Sequence, residues 1–247
     1  MSISQSYKSD FFSGKRPWSL IKDEILKKYL PPYLKKVNTL DRGIIIVDGF
    51  AGPGIFDDGT RGSPMIIYDI VKSIGGDNVK IILVNKDPKH HLKLNKILAD
   101  QGQTGNIITI LGTAEDLLKQ LKSELTNETL FVYLDQFGIS GFDFSTLVPY
   151  LTRTKAHSTE FLMNICVPVI HRLSRKRKFP NAGSTVYGDK ILTSVFGGDY
   201  WKTHLFDSIK TPDEQINGLM IEYSSKLRNY LDYIGFCPVF EKGPGSQ

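Results

Sequence analysis

The stretch VDGFAGPG (47–54) follows the apolar run GIIIV (43–47). A short run with no polar residue is what a strand buried on both faces requires, because neither face meets water. The small residues after it let the backbone turn sharply and let a ligand approach the main chain. The glycines are Gly49, Gly52 and Gly54, with Pro53 between the last two. They do not form G-x-G-x-x-G, the spacing that seats a dinucleotide pyrophosphate on the following helix. The stretch is then either a plain glycine turn or a loop for a ligand that is not a dinucleotide.

Working outward, β-like and α-like segments alternate. Strands are predicted at 43–47, 79–84, 106–111, 129–134 and 160–167, with a sixth beginning at 236–240. Helical spacing appears at 63–74, 87–101, 113–125 and 212–234, and 187–205 reads as helical or irregular. This alternation predicts an α/β fold: a doubly wound, mostly parallel Rossmann-like sheet with helices on both faces. An N-terminal helical extension, residues 1–40, precedes the main domain at 41–240, and 241–247 forms a tail. Within the extension, apolar spacing over 18–37 marks a helix that Pro31 and Pro32 are expected to break or kink. This helix either covers the sheet or contacts substrate.

Ligands of such sheets bind beyond the carboxyl ends of the strands. The first strand ends at Asp48 and the loop follows, with Phe50 and Ala51 inside it. Ser63 and Pro64 suit the N-cap and first turn of the next helix, whose free N–H groups would face a carboxylate. S-adenosylmethionine carries no phosphate and has an amino-acid end, so an acidic strand end and an open backbone suit it. The second strand ends in Asn85 and then Asp87. Asn85 can accept from a ribose hydroxyl through its amide oxygen, and Asp87 either shares that task or caps a helix starting at Pro88. Thr113, followed by Ala114, either caps the next helix with Asp116 or meets an adenine edge. The fourth strand ends in Asp135, Gln136 and Phe137. The Asp135 carboxylate and the Gln136 carbonyl could hold an exocyclic base amine while Phe137 stacks on the base. The alternative is a capping aspartate and a core phenylalanine.

The chain has 31 Lys+Arg against 26 Asp+Glu, and a distinct part of the excess sits at Arg172, Arg175, Lys176, Arg177 and Lys178. This run is either a solvated charge face or a phosphate-binding arm for nucleic acid. No apolar run approaches the roughly 20 residues of a membrane span, and the first residues lack the apolar core of a signal peptide, so a cytoplasmic protein is expected. Neither the histidines nor the two cysteines have zinc spacing, so no metal is expected.

Together, PWSLIKDEILKKYL, VDGFAGPG, RGSP, FVYLDQFG and FGGDYW resemble, in order, the three-Cys-motif partner protein family over roughly residues 11–240. The resemblance implies a class I S-adenosylmethionine-dependent methyltransferase fold and a separate partner protein with a cysteine cluster. It places Asp48, Gly52 and Gly54 at the cofactor and Asp135, Phe137 and Gly138 at the target. The chain departs from the pattern at Gln136, where proline is usual, at Asn85, where a ribose-binding acid is usual, and at Thr113, where Asp or Asn is common.

Overall fold

The structure is a computed structural model, and it describes residues 17–74, 76–102, 106–136, 138–139, 141–153, 158–175 and 185–239. Five strands form one sheet in the order β3-β2-β1-β4-β5, all parallel. They are β1 (Ile44–Asp48), β2 (Val79–Asn85), β3 (Ile107–Leu111), β4 (Thr129–Leu134) and β5 (Thr159–Met163). Every residue of β1 and β4, two of the three inner strands, is buried, which is why their sequences show no polar alternation. The edge strands β3 and β5 are partly exposed throughout.

Helices α1 (Pro17–Val37), α2 (Ser63–Ile74) and α3 (Pro88–Asp100) pack on one face. Leu26, Leu34, Met65 and Leu94 join Ile44 and Ile46 in a single core there. Helices α4 (Ala114–Glu124), α5 (Phe144–Leu151), α7 (Thr185–Phe196), α8 (Trp201–Leu205) and α9 (Pro212–Leu227) pack on the other face, around Ile45 and Val47. Helix α6 (Val167–Arg175) follows β5 on that side and adds Ile170. Alternate residues of β1 thus serve opposite cores, as the two-residue period of a strand dictates.

Several expectations need correction. Helix α1 runs unbroken through Pro31 and Pro32. Those prolines leave the carbonyls of Lys27 and Lys28 without helical partners, but both residues are exposed and water can serve them. Leu26, Leu30 and Leu34, each 0% exposed, hold the helix on the sheet. The fifth strand stops at Met163 rather than 167, and Val167 already opens α6. Residues 236–239 form no strand: Pro238 offers no N–H, and all four are exposed with no face to bury. The last helix ends at Leu227, followed by a turn, rather than at 234. Helix α5, with Phe144, Leu147, Tyr150 and Leu151 buried, is an element the sequence reading passed over.

The chain order fixes where the ends meet. It winds from β1 to β2 to β3, then returns through α4 to β4 on the other side of β1. The direction of winding reverses between β1 and β4, so the crevice at their carboxyl ends is the switch point of the sheet.

Candidate functional site at the switch point

Asp48, the last residue of β1, is fully buried. Its Oδ1 accepts from the Phe50 N–H at 3.1 Å, and its Oδ2 accepts from the Ser63 hydroxyl at 2.7 Å. One carboxylate therefore ties the start of the loop to the first turn of α2. Ser63 is not the N-cap expected of it: it is the first residue of α2, and its hydroxyl is spent on Asp48. The rest of the loop closes as a small hairpin. Gly54 takes φ +83°, Ile55 and Arg61 pair as an antiparallel bridge, and the Gly62 N–H donates to the Gly54 carbonyl at 2.7 Å.

Gly49 explains why the loop begins with glycine. Its N–H donates to the Tyr133 carbonyl at 3.0 Å. A Cβ there would lie 2.8 Å from Leu134 Cδ2 and 3.0 Å from the Ala114 Cβ. The absence of a side chain lets three pieces meet: the loop, the end of β4 and the first residue of α4. Ala51 is buried in the core on the α1–α3 side, whereas Phe50 packs toward the opposite core.

Asp135 lies just beyond β4, and the register pairs Asp48 with Tyr133, two residues before it. Its Oδ1 accepts from Lys22 Nζ of α1 at 2.6 Å, with the two side chains 17% and 23% exposed for Lys22 and Asp135. Buried Asp23 belongs to the same group, because Asp135 and Asp23 both act electrostatically on Asp48. Burial, chiefly, with these neighbouring carboxylates adding to it, pushes the Asp48 carboxyl up to about 7, and the bonds from Ser63 and Phe50 oppose the rise. Burial also holds the Tyr133 phenol well above its ordinary value, with Asp135, Asp48 and Asp23 reinforcing it. The result, among the described residues, is an acidic mouth into which Lys22 reaches. Such a mouth favours a cationic or hydrogen-donating ligand group over an anionic one.

Lys22, Asp23 and Tyr133 were not picked out from the sequence. Tyr133 carried a usable signal, since it sits two residues before Asp135 and strand alternation puts both on one face. Lys22 carried a weaker one, one helical turn before the core residue Leu26.

The next two strand ends are engaged internally. Asn85 is buried, and its amide donates to the Gly52 carbonyl at 3.2 Å, joining the end of β2 to the loop. Its own carbonyl accepts from the Gly112 N–H at 2.8 Å. Asp87 caps α3 by accepting from the N–H groups of Lys89 and His90. Thr113 caps α4 by accepting from the Asp116 N–H, while its hydroxyl donates to the Asp116 carboxylate at 2.6 Å. For Asp87 and Thr113 the structure displays the capping alternative, and neither cap by itself prevents a ligand contact.

Gln136 is buried, and its Oε1 accepts from the Gly141 N–H at 2.7 Å. That bond closes the loop after β4, where Gly138 takes φ +102°. Phe137 lies outside the described residues, as do Lys176, Arg177 and Lys178. Arg172 is exposed on α6, and Arg175 is that helix's last residue. A cavity of about 440 Å³ opens elsewhere, against Asp189, Lys190, Thr193, Ser194 and Lys202. It touches none of the strand-end residues, and the loop geometry, not that cavity, defines the candidate site.

No protein-family model matches the chain, and no curated protein matches it. Among solved structures, it is similar to a putative sarcosine dimethylglycine methyltransferase from Galdieria sulphuraria. The two are 13% identical over 83% of this chain and 80% of that one, with a TM-score of 0.35. It is also similar to a putative caffeoyl-CoA O-methyltransferase from Staphylococcus aureus, at 11% identity over 84% and 91% of the two chains and a TM-score of 0.36. A methyltransferase from Geobacter sulfurreducens matches at 12% identity over 70% and 85%, with a TM-score of 0.33. Scores this low fix no function, and the fold assignment rests on the strand order and the parallel ladders.

Proposed function

We propose that the chain is an S-adenosylmethionine-dependent methyltransferase acting on an exocyclic amine of a nucleic-acid base. The observation that carries this reading is the pairing of β1 with β4 at the switch point. It sets the glycine loop after Asp48 beside Asp135, in a mouth lined by carboxylates. The donor set fits the cofactor's chemistry: an acidic mouth suits an ammonium and a sulfonium, and the loop lacks the spacing for a pyrophosphate. When bound, the cofactor would supply an electrophilic methyl group.

The chain's own residues would do the rest. Gly49, Gly52 and Gly54 would bring the loop backbone to the amino-acid end; at Gly49 and Gly54 a Cβ would lie 2.8 Å from Leu134 and 2.9 Å from Leu94, so only glycine fits there. Asp48 has two oxygens with about four acceptor sites, of which Phe50 and Ser63 use two. It would reach an ammonium only after the loop admits the ligand, because Asp48 is closed to solvent here. Asn85 would accept from a ribose hydroxyl through its side-chain oxygen. Thr113 and Ala114 would border the adenine. Asp135 and the Gln136 carbonyl would receive the target amine, and Phe137 would stack on its ring. Arg172 and Arg175, with the basic residues after them, would meet phosphates. Orientation rather than acid–base chemistry would be the main contribution.

The test is transfer of radiolabelled methyl groups to total tRNA, rRNA or DNA, comparing the natural chain with Asp135→Ala. Incorporation into one substrate class that falls sharply in the variant supports the assignment. Equal incorporation by both sinks the role of Asp135.

A second reading also has an observation behind it. Asn85, Asp87 and Thr113 are all engaged in internal bonds. A chain that has lost turnover but binds nucleic acid, or a cysteine-cluster protein as the three-Cys-motif resemblance implies, would show the same pattern. Such a chain would bind RNA or DNA in a salt-dependent way with no methyl transfer.

A further inference from the structure

One flank of α1 leads off the sheet and over the mouth. Trp18, Lys22, Tyr29 and Tyr33 are spaced by four, seven and four residues, so they share one side of the helix. Tyr33 packs tilted against Phe131 of β4, with ring centroids 5.2 Å apart. The Tyr29 hydroxyl donates to the Glu160 carboxylate of β5. Lys22 Nζ donates to Asp135 Oδ1 at 2.6 Å, just past the end of β4. As the residue numbers fall, the row climbs β4 and β5 toward their carboxyl ends, and Trp18 is its next member. At 1.5 Å per residue, Trp18 stands about 6 Å beyond Lys22 along the helix axis. The strand has ended by then, because Lys22 already meets a residue outside β4. Trp18 is accordingly 38% exposed, although it belongs to a flank whose other members contact the sheet. Leu26, Leu30 and Leu34, all fully buried, hold the helix in this position.

We infer that Trp18 is a stacking platform for a nucleic-acid base at the mouth, which makes α1 part of the binding site and not merely a cover for the sheet. This rests on the reading in which Asp135 receives the exocyclic amine of a base, and it adds a contact which that reading did not include. An indole left in water forgoes the gain of burying its large apolar face. A base restores that gain by stacking, and every base has a face to offer. A ring whose amine points at Asp135 turns one edge to the end of β4. A flat apolar group overhanging Asp135 from α1 then covers one of its faces, and the other is left for Phe137. The stretch PWSLIKDEILKKYL thereby has two tasks: its leucines hold the helix, and Trp18 and Lys22 reach the site.

The chain has two tryptophans, and Trp201 is 0% exposed, so a base stacking on the surface alters the emission of Trp18 alone. The probes are mixed-sequence single-stranded RNA and DNA oligomers, with abasic oligomers of the same length and charge. A base-bearing oligomer should quench the emission of the full chain, and its abasic counterpart should not. Trp18→Leu should lose the quench. Its affinity for that oligomer, read by anisotropy of an end label, should fall about 5- to 150-fold, whereas Trp18→Phe keeps most of it. Calorimetry with S-adenosylhomocysteine should give the same affinity in the natural chain and Trp18→Leu. Trp18→Gln takes the place of the leucine variant if circular dichroism shows that variant unfolded. Equal affinity of the natural and leucine chains for the base-bearing oligomer overturns the inference and leaves the methyltransferase reading standing. An equal loss toward the abasic oligomer also overturns it, because the indole would then serve the backbone. So does a loss of S-adenosylhomocysteine binding in Trp18→Leu, which would move Trp18 to the cofactor. A natural chain that binds S-adenosylhomocysteine but no oligomer removes the nucleic-acid reading and this inference together.

Discussion

Replacing Asp48 by asparagine should stabilise the protein, and more so the higher the pH. In the unfolded chain the carboxyl releases its proton near 3.8, whereas in the folded chain it does so at about 7. Between those values the folded state binds more protons than the unfolded one, so stability falls as pH rises. The favourable contribution is complete below the unfolded value and is gone once pH has passed the folded one. At about 1.4 kcal/mol for each tenfold in proton affinity, the change across the interval is ~4 kcal/mol as an upper figure. Asparagine keeps the geometry. Its oxygen can accept from the Phe50 N–H, and its amide can donate to the Ser63 hydroxyl, which accepts as readily as it donates. Urea unfolding of both proteins from about pH 4.5 to about pH 8.5 gives the answer as the difference between them. That difference should grow by several kcal/mol in favour of the variant as pH rises. Parallel curves would mean that Asp48 is not a buried carboxyl held against its charge, and the electrostatic account of the mouth would fail with it.

Other expectations follow from close packing and capping. Gly49→Ala should lose about 1–3 kcal/mol by urea unfolding, because its Cβ would meet Leu134 and Ala114 at 3.0 Å or less. A loss within about 0.5 kcal/mol would show that the loop is not pinned there. Trp201→Ala should cost about 3–5 kcal/mol, since Trp201 is 0% exposed and its indole N–H donates to the Thr193 hydroxyl at 3.1 Å. Thr211→Ala removes a complete capping box with Glu214 at the start of α9 and should lower stability by about 1 kcal/mol, read as a drop in Tm.

What the sequence could show divides along physical lines. The five strands were legible because central strands buried on both faces leave unmistakable apolar runs, as in Ile44–Val47 and Leu130–Val132. The caps at Asp87 and Thr113 were legible as one of two alternatives, because capping depends on residues three positions apart. Helix α1 was misjudged at Pro31 and Pro32, since local rules count the lost hydrogen bonds but not the core contacts of Leu30 and Leu34 that outweigh them. Residues 236–239 looked like a strand from their apolar content, but a strand exists only where a neighbour and a face receive it. The site split in the same way. Asp48 and Asp135 could be named as candidates because strand ends are places a pattern can mark. Lys22 and Asp23 were not, because their approach to Asp135 and Asp48 is set by how α1 lies across β4, a contact spanning 113 residues of sequence for Lys22.

As proposed, the loop after Asp48 and the mouth beside Asp135 would receive S-adenosylmethionine. Titration calorimetry of the natural chain with S-adenosylhomocysteine tests it most directly, with Asp48→Ala and Asp135→Ala alongside. Saturable one-to-one binding in the micromolar range, roughly −7 to −8 kcal/mol, is expected, weakened at least tenfold in Asp48→Ala and much less in Asp135→Ala. No saturable heat up to millimolar ligand, or binding that Asp48→Ala leaves unchanged, would contradict it.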